Sequence, residues 1–418
     1  MKTPSLLATP FLPRIRIRPD ATAMCLYFLA GLADGALMPF FALWAQHEAA
    51  IPTRYIGLLL ACYAGGELVA TPILGGIADR LGRRPVLLLS TLGVGVGFML
   101  LAHLQGMIAV AVSLLAIGMF ECALHPTIAT VIADTADDES LRMRYAMARM
   151  AAGSGHVVGP ALGSALALIS LNSVFSGCGL ALLMASLIIL AILPETRATA
   201  ANVAASDDQE DEDEEGLSSL LPAFRDRRLA SLLLWFTLME IVGGWTEAIL
   251  PLYAHGERAL STTGVGLLFS YAAAAAVALQ WPITRWSSRM SAYSLLLGAG
   301  VVLAGGFCTL LLTPSLVSLG ACVTLMALAQ ALIGPLIPVA VNAMAAPSAR
   351  ASYMAAISTA NDLKDSAGPA SGMYLYGLST RLPWLLGIPV ALVAALALAI
   401  TVRSTETRRS GLGRECGP

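Results

Sequence analysis

Long apolar runs, each about 20 residues or more, recur along this chain, and short segments between them hold most of the charge. A run of that length crosses the ~30 Å hydrocarbon core of a bilayer as a helix. Hydrocarbon offers no water to bond backbone amides, so only helices and closed barrels span it. Barrel strands alternate apolar and polar residues, and these runs do not. Composition agrees: 12% of the 418 residues are charged, about half the ~25% typical of a soluble domain. Twelve helices are expected, at 22–45, 55–77, 85–104, 107–134, 146–170, 173–194, 229–252, 263–284, 292–313, 316–345, 350–377 and 382–402. The first run is too long for a signal-peptide core and ends without an A-x-A-like cleavage pattern, so it is read as a retained helix.

Basic residues orient the helices. Counting loops and adjoining helix ends, one side of the membrane holds 21 lysines and arginines, and the other holds only Arg54, Arg258 and Arg381. The positive-inside rule then places both termini and the central loop in the cytoplasm, in a multi-pass inner (plasma) membrane protein. The layout is a cytoplasmic segment 1–21, a six-helix half 22–194, a linker 195–228, a second half 229–402 and a tail 403–418. Asp207 to Glu215 are all acidic except Gln209. So dense a block repels itself and is expected to stay unfolded as a linker, with a docking tail for a partner as the other reading.

The two halves repeat each other. Pro39 and Pro251 lie 212 residues apart, as do Pro126 and Pro338, while Pro72 and Pro282 lie 210 apart. Gly159-Pro160-x-x-Gly163 returns as Gly368-Pro369-x-x-Gly372 at an offset of 209. Each match falls in the same span of its half, as in a parallel repeat of six helices.

The loop after the second span reads Gly75-Gly76-Ile77-Ala78-Asp79-Arg80-Leu81-Gly82-Arg83-Arg84-Pro85-Val86-Leu87. It closely resembles the cytoplasmic signature G-x-L-A-D-R-x-G-R-K-x-x-L of the major facilitator superfamily. The resemblance implies an all-α fold of twelve helices in two parallel six-helix halves, with a substrate site between them near the midplane. It also implies a conformational latch at Gly75, Asp79, Arg80, Gly82, Arg83 and Arg84 that stabilises the outward-facing state. The equivalent segment around Arg285 to Arg289 is degenerate. Span five carries Gly155-His156-Val157-Val158-Gly159-Pro160-Ala161-Leu162-Gly163-Ser164, similar to the g-x-x-x-G-P-x-x-G-G motif of the drug:proton antiporter branch. Gly155, Gly159, Pro160 and Gly163 form its helix-packing surface, since small residues at spacing four let helices approach closely. That branch usually carries l-x-x-R-x-x-q-G in span four. Here those positions hold Ala111, Leu114 and Ile117 before Gly118, so the family's relay arginine is missing and coupling needs other groups.

An ionisable side chain at bilayer depth is costly unless paired or hydrated, which makes each a functional candidate. The spans contain Asp34, Glu67, Glu121, His125, Glu240, Glu247, Asp362, Lys364 and Asp365, all read as candidates for proton or substrate coupling. Seven acids against one lysine favour protons, cations or zwitterions over anions. Asp34 lies five residues before Pro39, and Glu247 four before Pro251, so they are repeat-equivalent to within one residue. Glu121 and His125 are i, i+4 neighbours that could share a proton or form a structural pair. His156, among packing glycines, reads as structural. Glu67 and Lys364 sit at matching depths in spans two and eleven and are expected to form an ion pair between the halves, with local pairing of Lys364 to Asp365 as the alternative.

Seven cysteines scattered singly imply neither disulfides nor a metal site, and no cofactor is expected. The lysines are Lys2 and Lys364, neither after a glycine-rich loop, so a Walker A site is absent, as are H-E-x-x-H and G-x-S-x-G. The chain reads as a transporter rather than an enzyme: a monomer in the lipid bilayer whose partners are a small molecule and protons, with no nucleic acid. Proton-coupled export of small cationic or zwitterionic compounds is the first reading. The alternatives are a proton symporter for a sugar, nucleoside or organic acid, and a non-transporting sensor or scaffold.

Overall fold

The computed structural model describes residues 19–135, 138–193, 226–287, 289–312, 315–345 and 350–415. Side chains are described for these except 19–20, 71–81, 133–142, 146, 312, 343, 350–352, 354–355 and 404–415. The acidic block lies outside the described residues.

The helices are α1 (Pro19–His47), α2 (Thr53–Leu81), α3 (Arg83–Leu101), α4 (Met107–Glu121), α5 (Leu124–Thr135), α6 (Asp138–Ala167) and α7 (Leu171–Ile192) in the first half. The second half has α8 (Arg227–Gly256), α9 (Thr262–Ser287), α10 (Ala292–Leu312), α11 (Leu316–Ile333), α12 (Leu336–Met344), α13 (Arg350–Leu378) and α14 (Leu382–Glu415). Every expected span contains a helix. α6 begins at Asp138 rather than 146, and α14 runs past 402 to Glu415, so most of the expected tail continues the last helix.

Spans four and ten are interrupted, into α4 with α5 and α11 with α12. The prolines explain both breaks. A proline removes the amide that would bond the carbonyl four residues back, and its ring crowds that carbonyl. Four residues before Pro126 is Cys122, and four before Pro338 is Gly334, the residues that close α4 and α11.

Nine helices among the described residues are long and apolar enough to cross a membrane. The other three spans, α2, α6 and α13, have 29 or 30 residues, about 43–45 Å at 1.5 Å per residue. Their hydropathy is lowered by residues such as Glu67, Arg144, Arg149, Asp362, Lys364 and Asp365.

Packing repeats with the sequence. α1 lies on α6 as α8 lies on α13, α3 on α7 as α10 on α14, and α2 on α4 as α9 on α11. Between the halves, α2 meets α13 and α9 meets α6, again equivalent pairs. Glycine sets the close approaches. An added Cβ at Gly155 or Gly159 would strike the carbonyl oxygens of Phe28 or Leu32 in α1, and one at Gly163 would lie 2.6 Å from the Phe40 ring. The motif of span five therefore packs α6 onto α1.

The halves also meet at the arginine-poor end. A Cβ on Gly57 in α2 would run into the Pro369 carbonyl and come within 2.7 Å of the Ala370 Cα. Its counterpart Gly266 in α9, 209 residues on, would strike Ser164 Oγ and the Pro160 carbonyl. Ser164 Oγ shares its proton between the Pro160 carbonyl of its own helix at 2.9 Å and, across the interface, the Thr263 carbonyl at 3.1 Å. At the same end the rings of His47 and His255 meet edge to face with centroids 5.5 Å apart. Overpacking such a contact costs about 1–3 kcal/mol, roughly a 5- to 150-fold change in population. Gly57→Ala and Gly266→Ala should each separate the halves at this end, lengthening distances between paired spin labels on the 47–53 and 256–262 loops. Unchanged distances would mean that these glycines do not hold the end closed.

Candidate functional site

Between the halves lies a chamber made of two adjoining cavities of about 450 and 270 Å³. They share Asp34, Met38, Glu240, Glu247 and Gln330, contributed by spans one, seven and ten. The larger is walled mostly by apolar side chains, among them Met239, Phe269, Leu303, Val323, Met326 and Ile333. The smaller adds Tyr63, Glu67, Lys364 and Asp365. The repeat-equivalent acids Asp34 and Glu247 thus line one chamber. His156, read from sequence as structural, also borders it, with Nδ1 3.0 Å from the Ala152 carbonyl.

On the first-half side the break in span four positions a cluster. Glu121 ends α4 and His125 opens α5, both turned toward α1 and α2. Tyr63 donates its hydroxyl to Glu121 Oε2 at 2.6 Å. His125 Nε2 is 3.8 Å from Asp34 Oδ2. The Tyr27 ring stacks on His125 at 5.8 Å, and its hydroxyl donates to the His125 carbonyl at 3.1 Å. The i, i+4 pair does not close on itself: each member finds its partner on another span. Glu67, one turn beyond Tyr63, adds a further carboxylate whose charge acts on this group. Gly118 allows the approach, since a Cβ there would strike the Tyr63 carbonyl and lie 3.2 Å from the Glu67 nitrogen.

On the second-half side Glu240, 6% exposed, accepts a hydrogen bond from Gln330 Nε2 at 3.1 Å. The expected Glu67–Lys364 ion pair is not formed. Lys364 Nζ sits 3.0 Å from Asp365 Oδ1, and Glu247 and Glu240 are the next carboxylates to act on its charge. The reason is stem length. Neighbours on a helix point about 100° apart, but four methylenes carry the ammonium around that angle. Asp362 is exposed and borders neither cavity.

In the signature segment Gly82 takes φ 94°, a value open to glycine, and so turns α2 directly into α3. Arg83 is 8% exposed, and Arg84 Nη2 donates to the Leu190 carbonyl at 2.7 Å near the end of α7. A cation is favourable at a helix C-terminus, so Arg84 ties α3 to α7 through a backbone carbonyl. The side chains of Gly75 to Arg80 lie outside those described. At the positions of the missing arginine motif, Leu114 and Ile117 are buried in the apolar core.

Tyr63, Tyr27 and Gln330 escape the sequence reading. Each is uncharged, so a search for ionisable groups inside apolar runs passes over it. A signal is nonetheless present, since Tyr63 stands four residues before Glu67 and Gln330 is the lone amide between 316 and 341.

The family model described as Major Facilitator Superfamily matches residues 23–369 and 248–415. Tetracycline resistance protein class E of Escherichia coli is 29% identical over 246 residues, 58% of this chain and 59% of that protein. Class B, also of Escherichia coli, is 30% identical over 182 residues, 43% and 45% of the two chains. The match spans about three-fifths or less of the length of these relatives. Among solved structures, nucleoside transporter NupG superposes with TM-score 0.74 at 14% identity, over 94% of this chain and 99% of that one. Peptide transporter POT in complex with sulfate gives 0.71 at 14% over 94% of each. At such identities the likeness speaks to fold, and the fold is the one described above. With the family model matched across most of the sequence, this chain belongs to the Major Facilitator Superfamily.

Proposed function

We propose that the chain is a secondary active transporter that expels small organic cations or zwitterions across the inner membrane in exchange for protons, by alternating access. The observation that carries this reading is the chamber: apolar walls around about 450 Å³, with Asp34, Glu240 and Glu247 facing in and one lysine opposed. That volume suits a drug-sized molecule held by hydrophobic contact and oriented by a few polar groups, and the charge balance selects a positive one. The tetracycline-resistance relatives, and a multidrug resistance protein MdtG of Serratia proteamaculans 30% identical over 151 residues, support the export direction. The arginine bias supports a cytoplasmic arginine-rich end. With the halves touching at the other end, the arrangement is then inward-facing. Asp34 is the coupling acid in this reading, and Glu247 and Glu240 receive the substrate's positive charge. By resemblance, the segment from Gly75 to Arg84 latches the opposite, outward-facing state.

Direction is tested in inverted vesicles under an imposed pH gradient, with accumulation of a fluorescent organic cation as the export signal. Asp34→Asn should lower that accumulation at least about tenfold while the protein remains folded in the membrane, because an intramembrane acid acts as the proton carrier. Undiminished coupled flux would remove Asp34 from the mechanism. Uptake in right-side-out cells instead would reverse the direction.

Two charge changes should move substrate affinity in opposite senses. Glu247→Gln removes an attraction and should weaken binding of the cation by about 1–3 kcal/mol at an effective dielectric near 20. Lys364→Met removes a repulsion and should strengthen it. Calorimetric titration of the purified protein reads both, and a common sign for the two variants would mean that charge does not select the substrate.

A further inference from the structure

One group of donors beside the chamber, reached from it through Asp34, is richer than a single proton carrier requires. Asp34, Glu121 and His125 each place one ligand atom within 4.8 Å of the other two. Asp34 comes from α1, and Glu121 and His125 flank the break between α4 and α5. Glu121 is only 5% exposed, and its Oε2 is held by the Tyr63 hydroxyl. The carboxylate also faces that of Asp34. Ionised carboxylates only accept hydrogen bonds, so two of them face to face at a poorly hydrated site repel unless they share a proton or a cation stands between them. Glu67 deepens the negative field, while His125 turns its Nε2 toward Asp34.

We propose that Asp34, Glu121 and His125 bind one divalent transition-metal ion, of the zinc, cobalt or manganese kind. Two carboxylate oxygens and an imidazole nitrogen are a donor set such ions accept, and a double positive charge offsets both carboxylates. Metal–ligand bonds of about 2.0–2.2 Å put donors roughly 3.3 Å apart in a tetrahedral site. The donors now lie within 4.8 Å of one another, so on binding the side chains would have to draw together. The surroundings match what orients metal ligands elsewhere: Tyr63 fixes Glu121, and Tyr27 holds the His125 ring and backbone. Three protein ligands leave at least one coordination position open for water or for another donor atom. Protons and metal share these ligands, so binding releases protons and weakens as pH falls. The proposal goes beyond the transport reading and does not depend on it: a chain that moved no substrate would still bind the ion.

The test uses the full-length protein, purified without a histidine tag, stripped of metal and placed in nanodiscs. Cobalt(II) is titrated in, followed by its visible absorption, and zinc(II) is followed by calorimetry with proton release recorded in weak buffer. One equivalent should bind saturably, with a cobalt spectrum that zinc abolishes. Glu121→Gln and His125→Asn should each weaken binding at least about tenfold, and Tyr63→Phe, which touches no metal, by roughly 10-fold or more through its hold on Glu121. The His125 side chain is 42% exposed, so its replacement keeps the test decisive if the Glu121 variant fails to fold. His47→Gln with His255→Gln, at the far end of the bundle, should leave binding unchanged. The proposal is overturned if no saturable binding is seen, if binding survives both Glu121→Gln and His125→Asn, or if it disappears with the His47 and His255 pair. Transport assays on the same preparations report separately on the exporter reading.

Discussion

A carboxylate inside a membrane has to meet water, a hydrogen-bond donor or a positive charge, and most of this structure follows from where the seven acids of the spans find one. Lipid-facing surface offers none of these. Asp34, Glu67, Glu240, Glu247 and Asp365 therefore line the chamber between the halves, where side chains from several spans converge, and Glu121 lies buried beside Asp34. Glu121 is met by Tyr63, Glu240 by Gln330 and Asp365 by Lys364. Tyr63 and Gln330 come from other helices than the acids they meet, so the polar groups do more than line a cavity. They set which helices must lie beside one another at the midplane.

Around that polar centre, small residues set the closest helix approaches, while large side chains such as Trp44, Phe175 and Trp384 fill the core. Where lipid removes the hydrophobic reason for helices to associate, close van der Waals approach has to replace it. The chain supplies it through glycine pairs such as Gly31 and Gly35 against α6, and Gly155 and Gly159 against α1. The same device recurs at the arginine-poor end, where backbone of one half rests on backbone of the other through Gly57 and Gly266. Contacts of this kind hold two bodies together with few side-chain ties across the seam, Ser164 to Thr263 and His47 to His255 among them. That suits halves required to part and rejoin.

The helix count and the repeat are readable because each rests on a signal summed over many residues: run length in one case, recurring prolines in the other. The acids of the chamber are readable because an ionisable group in an apolar run is conspicuous. Pairings are not. Depth matches Lys364 to Glu67, but depth fixes only one coordinate, and the flexible lysine stem reaches Asp365 instead. Glu121 and His125 look like a local pair on a continuous helix, whereas the break after α4 lets each face a different span. The breaks themselves are written in Pro126 and Pro338, yet spans four and ten still read as continuous, since hydropathy averages over an interrupted helix.

The chamber wall has a consequence for chemical discrimination. Met38, Met239 and Met326 are long, unbranched and soft, and such side chains refit to a new outline at little cost. Fixed demands come from the carboxylates, the amide of Gln330, His156, the hydroxyls of Thr246 and Tyr63, and one lysine. On the reading proposed above, a pocket built this way sorts visitors by charge and bulk and is nearly indifferent to their skeleton. On the exporter reading, redecorating the carbon frame of a toxic amine would leave it recognised, whereas neutralising the amine would make it invisible.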